Sequence, residues 1–334
     1  MNEFYDKRIL VTGATGLIGY NLVERLLVEG AIVVATGRRI QKLYDAFGSC
    51  SCSERVILKE FDVSQEVPDE WGEFDYIFHA ASPIAGKEIS SKPVDVVDAN
   101  VLGTRNCLER LKKQKNVNGK LILFSSATVY GSGDNVVGED RVVCEEDTNF
   151  AEKLDNITSA YSESKRMIEV YANSYNRQYG IDTIIVRIAY VYGYVKKFPD
   201  TAFYQFIKNV ARGEDIVFKN SGMPKRDNIY VDDVINGLTL VAKFGTSGES
   251  YNISSNGEKY NYASIEDIAD IIVECGNYLT GKKSAVIRNT TNCECFQGIK
   301  MSNEKLKSIG WCVETTLYDG ISNVIQRYLC ECKE

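Results

Sequence analysis

VTGATGLIG, residues 11–19, lies where a short apolar run, RILVT (8–12), gives way to an amphipathic one that closes in LVERLLVEG (22–30). Gly13, Gly16 and Gly19 therefore fall at a strand-to-helix junction. Glycine there allows a sharp turn and close approach of a pyrophosphate, whose charge meets the free N–H groups of the helix N-terminus. A glycine triplet by itself is a weak signal, and a purely structural turn is the alternative. Its place after a first strand and before a helix favours dinucleotide binding. Thr15, Leu17 and Ile18, inside the same turn, join the glycines as expected cofactor contacts.

Outward from that junction, β-branched runs alternate with helical patterns. Residues 8–12, 31–36, 55–61, 74–79, 119–125 and 181–189 read as strands. Such alternation predicts an α/β fold with a parallel, doubly wound sheet, whose ligands gather at the carboxyl ends of the strands. After the second strand comes ATGRR, where an acidic residue commonly holds the adenosine ribose. Arg38 and Arg39 suit a 2′-phosphate, which favours NADP over NAD; solvated charges at a helix start are the alternative. Asp62, ending the third strand in EFDV with Val63, is placed to accept from the adenine amino group or to cap a turn.

Composition narrows the partners. The net charge of −7 comes with no basic stripe, so neither nucleic acid nor an anionic membrane surface has an electrostatic footing. No apolar run nears the roughly 20 residues that span a bilayer, and MNEFYDKRILVTG does not read as a secretory leader, so a cytoplasmic location is expected. Six of the ten cysteines form Cys-x-Cys pairs, Cys50/Cys52, Cys293/Cys295 and Cys330/Cys332. Without Cys-x-x-Cys spacing or a nearby histidine they read as free thiols, and no metal is expected. A Rossmann domain over 1–190, with 229–254 returning to it, and a smaller α/β lobe over 191–334 are expected. Helices are predicted at 200–212, 231–244, 263–276 and 302–309, and a surface loop at 131–158.

YSESK, 161–165, puts Tyr161 and Lys165 four apart on one face of a predicted helix. A phenol with a pKa near 10 is a poor base at neutral pH, but a lysine ammonium and a nicotinamide charge nearby stabilise the phenolate. Taken with TGATGLIG, FDV, HAAS (79–82), NVLGTRN (100–106), SSATVYG (125–131) and KRDNIYVDD (225–233), the chain resembles an extended short-chain dehydrogenase/reductase of the nucleotide-sugar epimerase/dehydratase type.

That resemblance implies Ser126 as the hydroxyl that hydrogen-bonds the reacting oxygen beside Tyr161, the general acid/base. It implies Lys165 on the nicotinamide ribose. Ala80, Ala81, Ser82, Asn100 and Ile188 would support or line the cofactor, and Arg226 would grip the diphosphate of a nucleotide sugar. Ser82, Ser126, Ala127, Thr128 and Tyr190 would border the substrate. Ser125 reads as a structural hydroxyl. Two positions depart from the pattern: an Asn frequent three residues after Arg187 is Tyr190, and a Pro frequent after Gly193 is Tyr194. Members that dehydrate or decarboxylate carry an acid two residues past the site hydroxyl, where this chain has Thr128. SATVYG is similar instead to UDP-galactose 4-epimerase. A 4-epimerase or a 4-ketoreductase, in a homodimer, is the implied function. An NADPH-dependent reductase of a small carbonyl compound and a non-catalytic cofactor-binding scaffold are the alternatives.

Overall fold

A computed structural model describes residues 3–48, 54–83, 86–131, 140–147, 154–156, 158–218, 225–288 and 298–332. Cys50, Cys52, Cys293, Cys295 and parts of the 131–158 stretch lie outside them. The first half runs β1 (Arg8–Thr12), α1 (Leu17–Val28), β2 (Ile32–Gly37), α2 (Ile40–Phe47), β3 (Val56–Glu60), β4 (Tyr76–His79), α3 (Gly86–Ser91), α4 (Pro93–Lys113), β5 (Lys120–Ser126), β6 (Arg141–Val143), α5 (Ser159–Tyr179) and β7 (Asp182–Ile188). There follow β8 (Tyr190–Tyr192), α6 (Ala202–Arg212), β9 (Ile216–Phe218), β10 (Arg226–Tyr230), α7 (Val231–Phe244), β11 (Ser250–Ile253), β12 (Tyr262–Ala263), α8 (Ile265–Thr280), β13 (Val286–Arg288), β14 (Ile299–Met301), α9 (Glu304–Lys307) and α10 (Leu317–Glu331).

Seven strands form one parallel sheet in the order β11-β7-β5-β4-β1-β2-β3. The chain starts in the middle at β1, builds outward to β3, then crosses to β4. A crevice therefore opens above the carboxyl ends of β1 and β4, where neighbouring connections diverge. The doubly wound character is visible in β5. Leu121 and Leu123 pack with Leu108 of α4 and Ile168 of α5, whereas Ile122 and Phe124 share the opposite core with Leu22 of α1 and Leu238 of α7. Because successive side chains of a strand face opposite ways, an unbroken LILF run is what a sheet covered on both faces requires.

A second sheet is ordered β12-β10-β14-β6 with β8 beside β10, and β13 pairs with β9. Two expectations change here. The surface loop foreseen at 131–158 contains β6, which pairs with β14 in register Arg141↔Ile299, a partner too distant in sequence for local polarity to reveal. The helix foreseen at 302–309 is the single turn α9. Ile309 N–H bonds to Leu306 O and Gly310 N–H to Lys307 O, tightening the end before Gly310 turns out at φ 101°. Among the described residues no helix is long and apolar enough to cross a membrane.

Candidate active site

Gly13 leaves β1 at φ 67°, and a Cβ on it would stand 2.8 Å from the Ala81 backbone, so the turn after β1 and the end of β4 touch through bare main chain. A Cβ on Gly19 would meet Gly13 O and lie 2.9 Å from Ala14 Cα. Only glycine lets the first turn of α1 pack so tightly. That helix starts behind Gly16 without a side-chain cap and with no acid in its first turn. Its N-terminal amides and the positive end of its dipole are thus presented to an anion.

Above this turn lies a cleft of about 1000 Å³ that reaches to Arg226. Every residue expected at cofactor or substrate lines it except Arg39 and Asn100. Arg38, in the bend after β2, lines the cleft, whereas Arg39, the extended residue preceding α2, does not. The Asp62 carboxylate caps its own turn, accepting from Ser64 N at 3.0 Å and Ser64 Oγ at 2.9 Å. Asn100 is 1% exposed on α4. Its carbonyl accepts from Ser82 Oγ at 2.7 Å and its amide donates to Ser164 Oγ at 2.8 Å, so it holds the wall from behind.

His79, the chain's only histidine, is buried at the end of β4. Burial, with the Lys165 charge, pushes it down to about 3, so the ring is neutral. Its Nδ1 shares a hydrogen bond with Thr12 Oγ1 at 2.8 Å, and Thr12 Oγ1 accepts from Ala81 N at 3.2 Å. This trio ties β1 to β4 under the glycine turn.

β5 ends in the two serines, and the pleat separates them. Ser125 Oγ turns inward to donate to Glu169, while Ser126 Oγ lies in the cleft and accepts from Thr128 N at 3.2 Å. On α5, Tyr161 and Lys165 face the same cleft, one helical turn apart. Burial raises the Tyr161 pKa, and hydrogen bonds with the Ser126 and Ser82 hydroxyls pull it back. Lys165, 4% exposed, donates to Phe124 O at 2.7 Å. Burial lowers its pKa to about 7 against the opposing charge of Glu169. This wall can pass a proton at Tyr161 and stabilise the resulting phenolate with Ser126, Ser82 and the lysine ammonium.

Sequence reasoning missed Glu169 and Ser164. Glu169 follows Lys165 by four residues, as Lys165 follows Tyr161, so the helical stripe Tyr161-Lys165-Glu169 was available as a signal. Also lining the cleft is Arg226, from β10, with its guanidinium carbon 4.4 Å from the Tyr190 ring centre. Among the described residues, the Thr128 hydroxyl is buried with no hydrogen-bond partner.

The model of the NAD dependent epimerase/dehydratase family matches residues 9–254. The chain is 29% identical over 271 residues to UDP-glucuronic acid decarboxylase 6 of Arabidopsis thaliana, spanning 80% of this chain and 75% of that one. It is 29% identical over 288 residues to a UDP-glucuronate 4-epimerase of Thermodesulfobacterium geofontis, spanning 82% and 81%. Among solved structures it superposes with a TM-score of 0.74 on the Bordetella bronchiseptica enzyme WbmF in complex with NAD+ and UDP, at 25% identity over 100% of this chain and 95% of that one.

Proposed function

The chain belongs to the NAD-dependent epimerase/dehydratase family, and on that premise we propose that it inverts C4 of a nucleotide-linked sugar, as a 4-epimerase. The observation that carries the proposal is the wall of Ser126, Tyr161 and Lys165 with Thr128, not a carboxylate, two residues past Ser126. A dehydratase or decarboxylase needs a further acid or base to move a second proton, and a threonine hydroxyl is too weak an acid for that task. Relatives of both kinds share the fold, so the distinction rests on this side chain.

The residues present fit a nicotinamide dinucleotide. Bare main chain at Gly13 and Gly19 and the uncapped start of α1 would hold its pyrophosphate, Asp62 and Val63 its adenine, and Lys165 the nicotinamide ribose. When bound, the nicotinamide supplies a hydride acceptor and donor for C4. Tyr161 takes the proton of the 4-hydroxyl and later returns it, Ser126 donates to the 4-oxygen, and Lys165 lowers the cost of the phenolate. Arg226 offers a planar fork to the diphosphate. Return of the proton by Tyr161 to the 4-oxygen, once the keto-sugar has turned over in the cleft, would leave the centre inverted.

A second reading, a 4-ketoreductase using NADPH, is favoured by Arg38 in the cleft wall, which suits a 2′-phosphate. The two part on one experiment: NMR of UDP- and dTDP-hexoses incubated with enzyme and NAD. Appearance of the 4-epimer, lost by about 10²–10⁴-fold in Tyr161→Phe, is expected. Reduction of a 4-keto-sugar by NADPH without epimerisation would establish the second reading, and binding of no nucleoside diphosphate would overturn both. The same proposal carries a homodimer through α4 and α5, which pack together and leave Val94, Val97, Met167 and Val170 exposed. Sedimentation velocity should give a dimer that Met167→Glu with Val170→Glu converts to monomer.

A further inference from the structure

The last three residues of β5 outrun one of its two neighbouring strands. Register with β4 ends at His79↔Leu123, whereas register with β7 continues through Phe124↔Val186, Ser125↔Arg187 and Ser126↔Ile188. In the described sheet, Phe124, Ser125 and Ser126 are therefore laddered on one side alone. Ser126 carries the hydroxyl that faces the cleft, so whatever steadies this projecting end sets where that hydroxyl stands.

The helix α5 holds the end by three ties, one to each residue. Lys165 Nζ donates to Phe124 O at 2.7 Å, Ser125 Oγ donates to Glu169 Oε1, and the Ser126 hydroxyl hydrogen-bonds Tyr161. Their partners Tyr161, Lys165 and Glu169 stand one turn apart along a single stripe of the helix. Two of these ties use side chains that substrate and cofactor claim on binding, Tyr161 and Lys165. The third lies outside that exchange. Ser125 and Glu169 are 5% and 8% exposed, and Arg187 grips the carboxylate with Nε and Nη2 at 3.0 and 2.8 Å. Leu121 and Leu123 pack with Ile168 of α5, and the pleat makes Ser125 the next residue in their row. A valine would continue that row but could make no such bond.

We propose that Ser125 is a positioning residue: its bond to the Arg187-braced Glu169 carboxylate fixes the projecting end of β5 and so places the Ser126 hydroxyl at the reacting oxygen. This rests on the reading of Ser126 as the donor to the 4-oxygen. Charge builds on that oxygen as its proton leaves, so the hydrogen bond from Ser126 counts for more in the transition state than in the ground state. A small displacement of the hydroxyl therefore slows turnover and leaves binding nearly as it was.

Ser125→Ala tests this while keeping the Arg187–Glu169 pair. With the UDP- or dTDP-hexose that wild type epimerises, the variant should lower kcat about three- to thirty-fold, while KM and the NAD dissociation constant from isothermal titration stay within about twofold. Ser126→Ala lowers kcat by itself, and adding Ser125→Ala to it should change kcat by less than about twofold, because the hydroxyl being placed is gone. The loss of stability in urea caused by Ser125→Ala should be the same in both backgrounds, which separates placement from damage to the fold. A kcat equal to wild type, a loss carried by KM, or an undiminished loss of kcat in the Ser126→Ala background overturns the inference while the proposed function stands. If wild type epimerises none of these sugars, the proposed function falls and takes this inference with it.

Discussion

Arg187 and Arg226 each lie over a tyrosine ring from a neighbouring element, in very different surroundings. Arg187, on β7, is 5.0 Å from the Tyr130 ring centre and 6% exposed. Its donors are taken by both oxygens of Glu169 at 3.0 and 2.8 Å, by Tyr130 Oη at 2.8 Å and by Glu145 O at 2.9 Å. Arg226, on β10, stands partly exposed in the wall of the cleft. The same pair of residue types is a buried cross-brace in one place and part of a cleft wall in the other. Burial decides which.

That contrast can be broken most forcefully at Glu169. Replacing it by Leu strips the carboxylate from a guanidinium that has no route to water, and should cost about 3–5 kcal/mol of unfolding free energy in urea. Arg226→Leu, at a partly exposed position, should change stability by about 0.5 kcal/mol or less while weakening diphosphate binding. Equal losses from the two substitutions would erase the distinction between buried brace and cleft wall.

A pH-dependent effect is expected one helical turn away. Burial holds Lys165 at about 7, below the ordinary lysine value near 10.4. Between these pH values the unfolded chain binds more protons than the folded one, so the cofactor-free protein gains stability from this group as pH rises from 7 toward 10. Lys165→Met removes that dependence. Relative to wild type, the variant should improve by roughly 4 kcal/mol on going from pH 10 to pH 6, measured by urea denaturation at each pH. A gap that does not change with pH would mean that Lys165 is solvated or more strongly compensated by Glu169.

The glycine turn was legible because its physics is local: three glycines between a strand and a helix leave few other conformations. The unbroken LILF run likewise announced a strand covered on both faces. Ser126, Tyr161 and Lys165 could be read through family resemblance, and the cleft holds all three on one wall. Legibility failed where a residue acts through a distant partner. Asn100 was expected to support or line the cofactor site, but its partners Ser82 and Ser164, 18 and 64 positions away, could not be read from the sequence. Arg38 and Arg39 looked equivalent as neighbours, yet only Arg38 lines the cleft.

Glycine placement and strand periodicity by themselves determined a doubly wound sheet with a dinucleotide turn at its centre, because turn geometry and pleat are set within a few residues. Which side chains meet across the cleft was decided only in three dimensions. The register of β8 against β10 brings Tyr190 under Arg226, although 36 positions part them in the chain. Glu169 reaches Arg187 because α5 packs against β7, and Thr128 counts as a missing carboxylate because β5 delivers Ser126 to the cleft floor beside it. Contacts of this kind depend on long-range packing and strand register, which no local pattern of residues encodes.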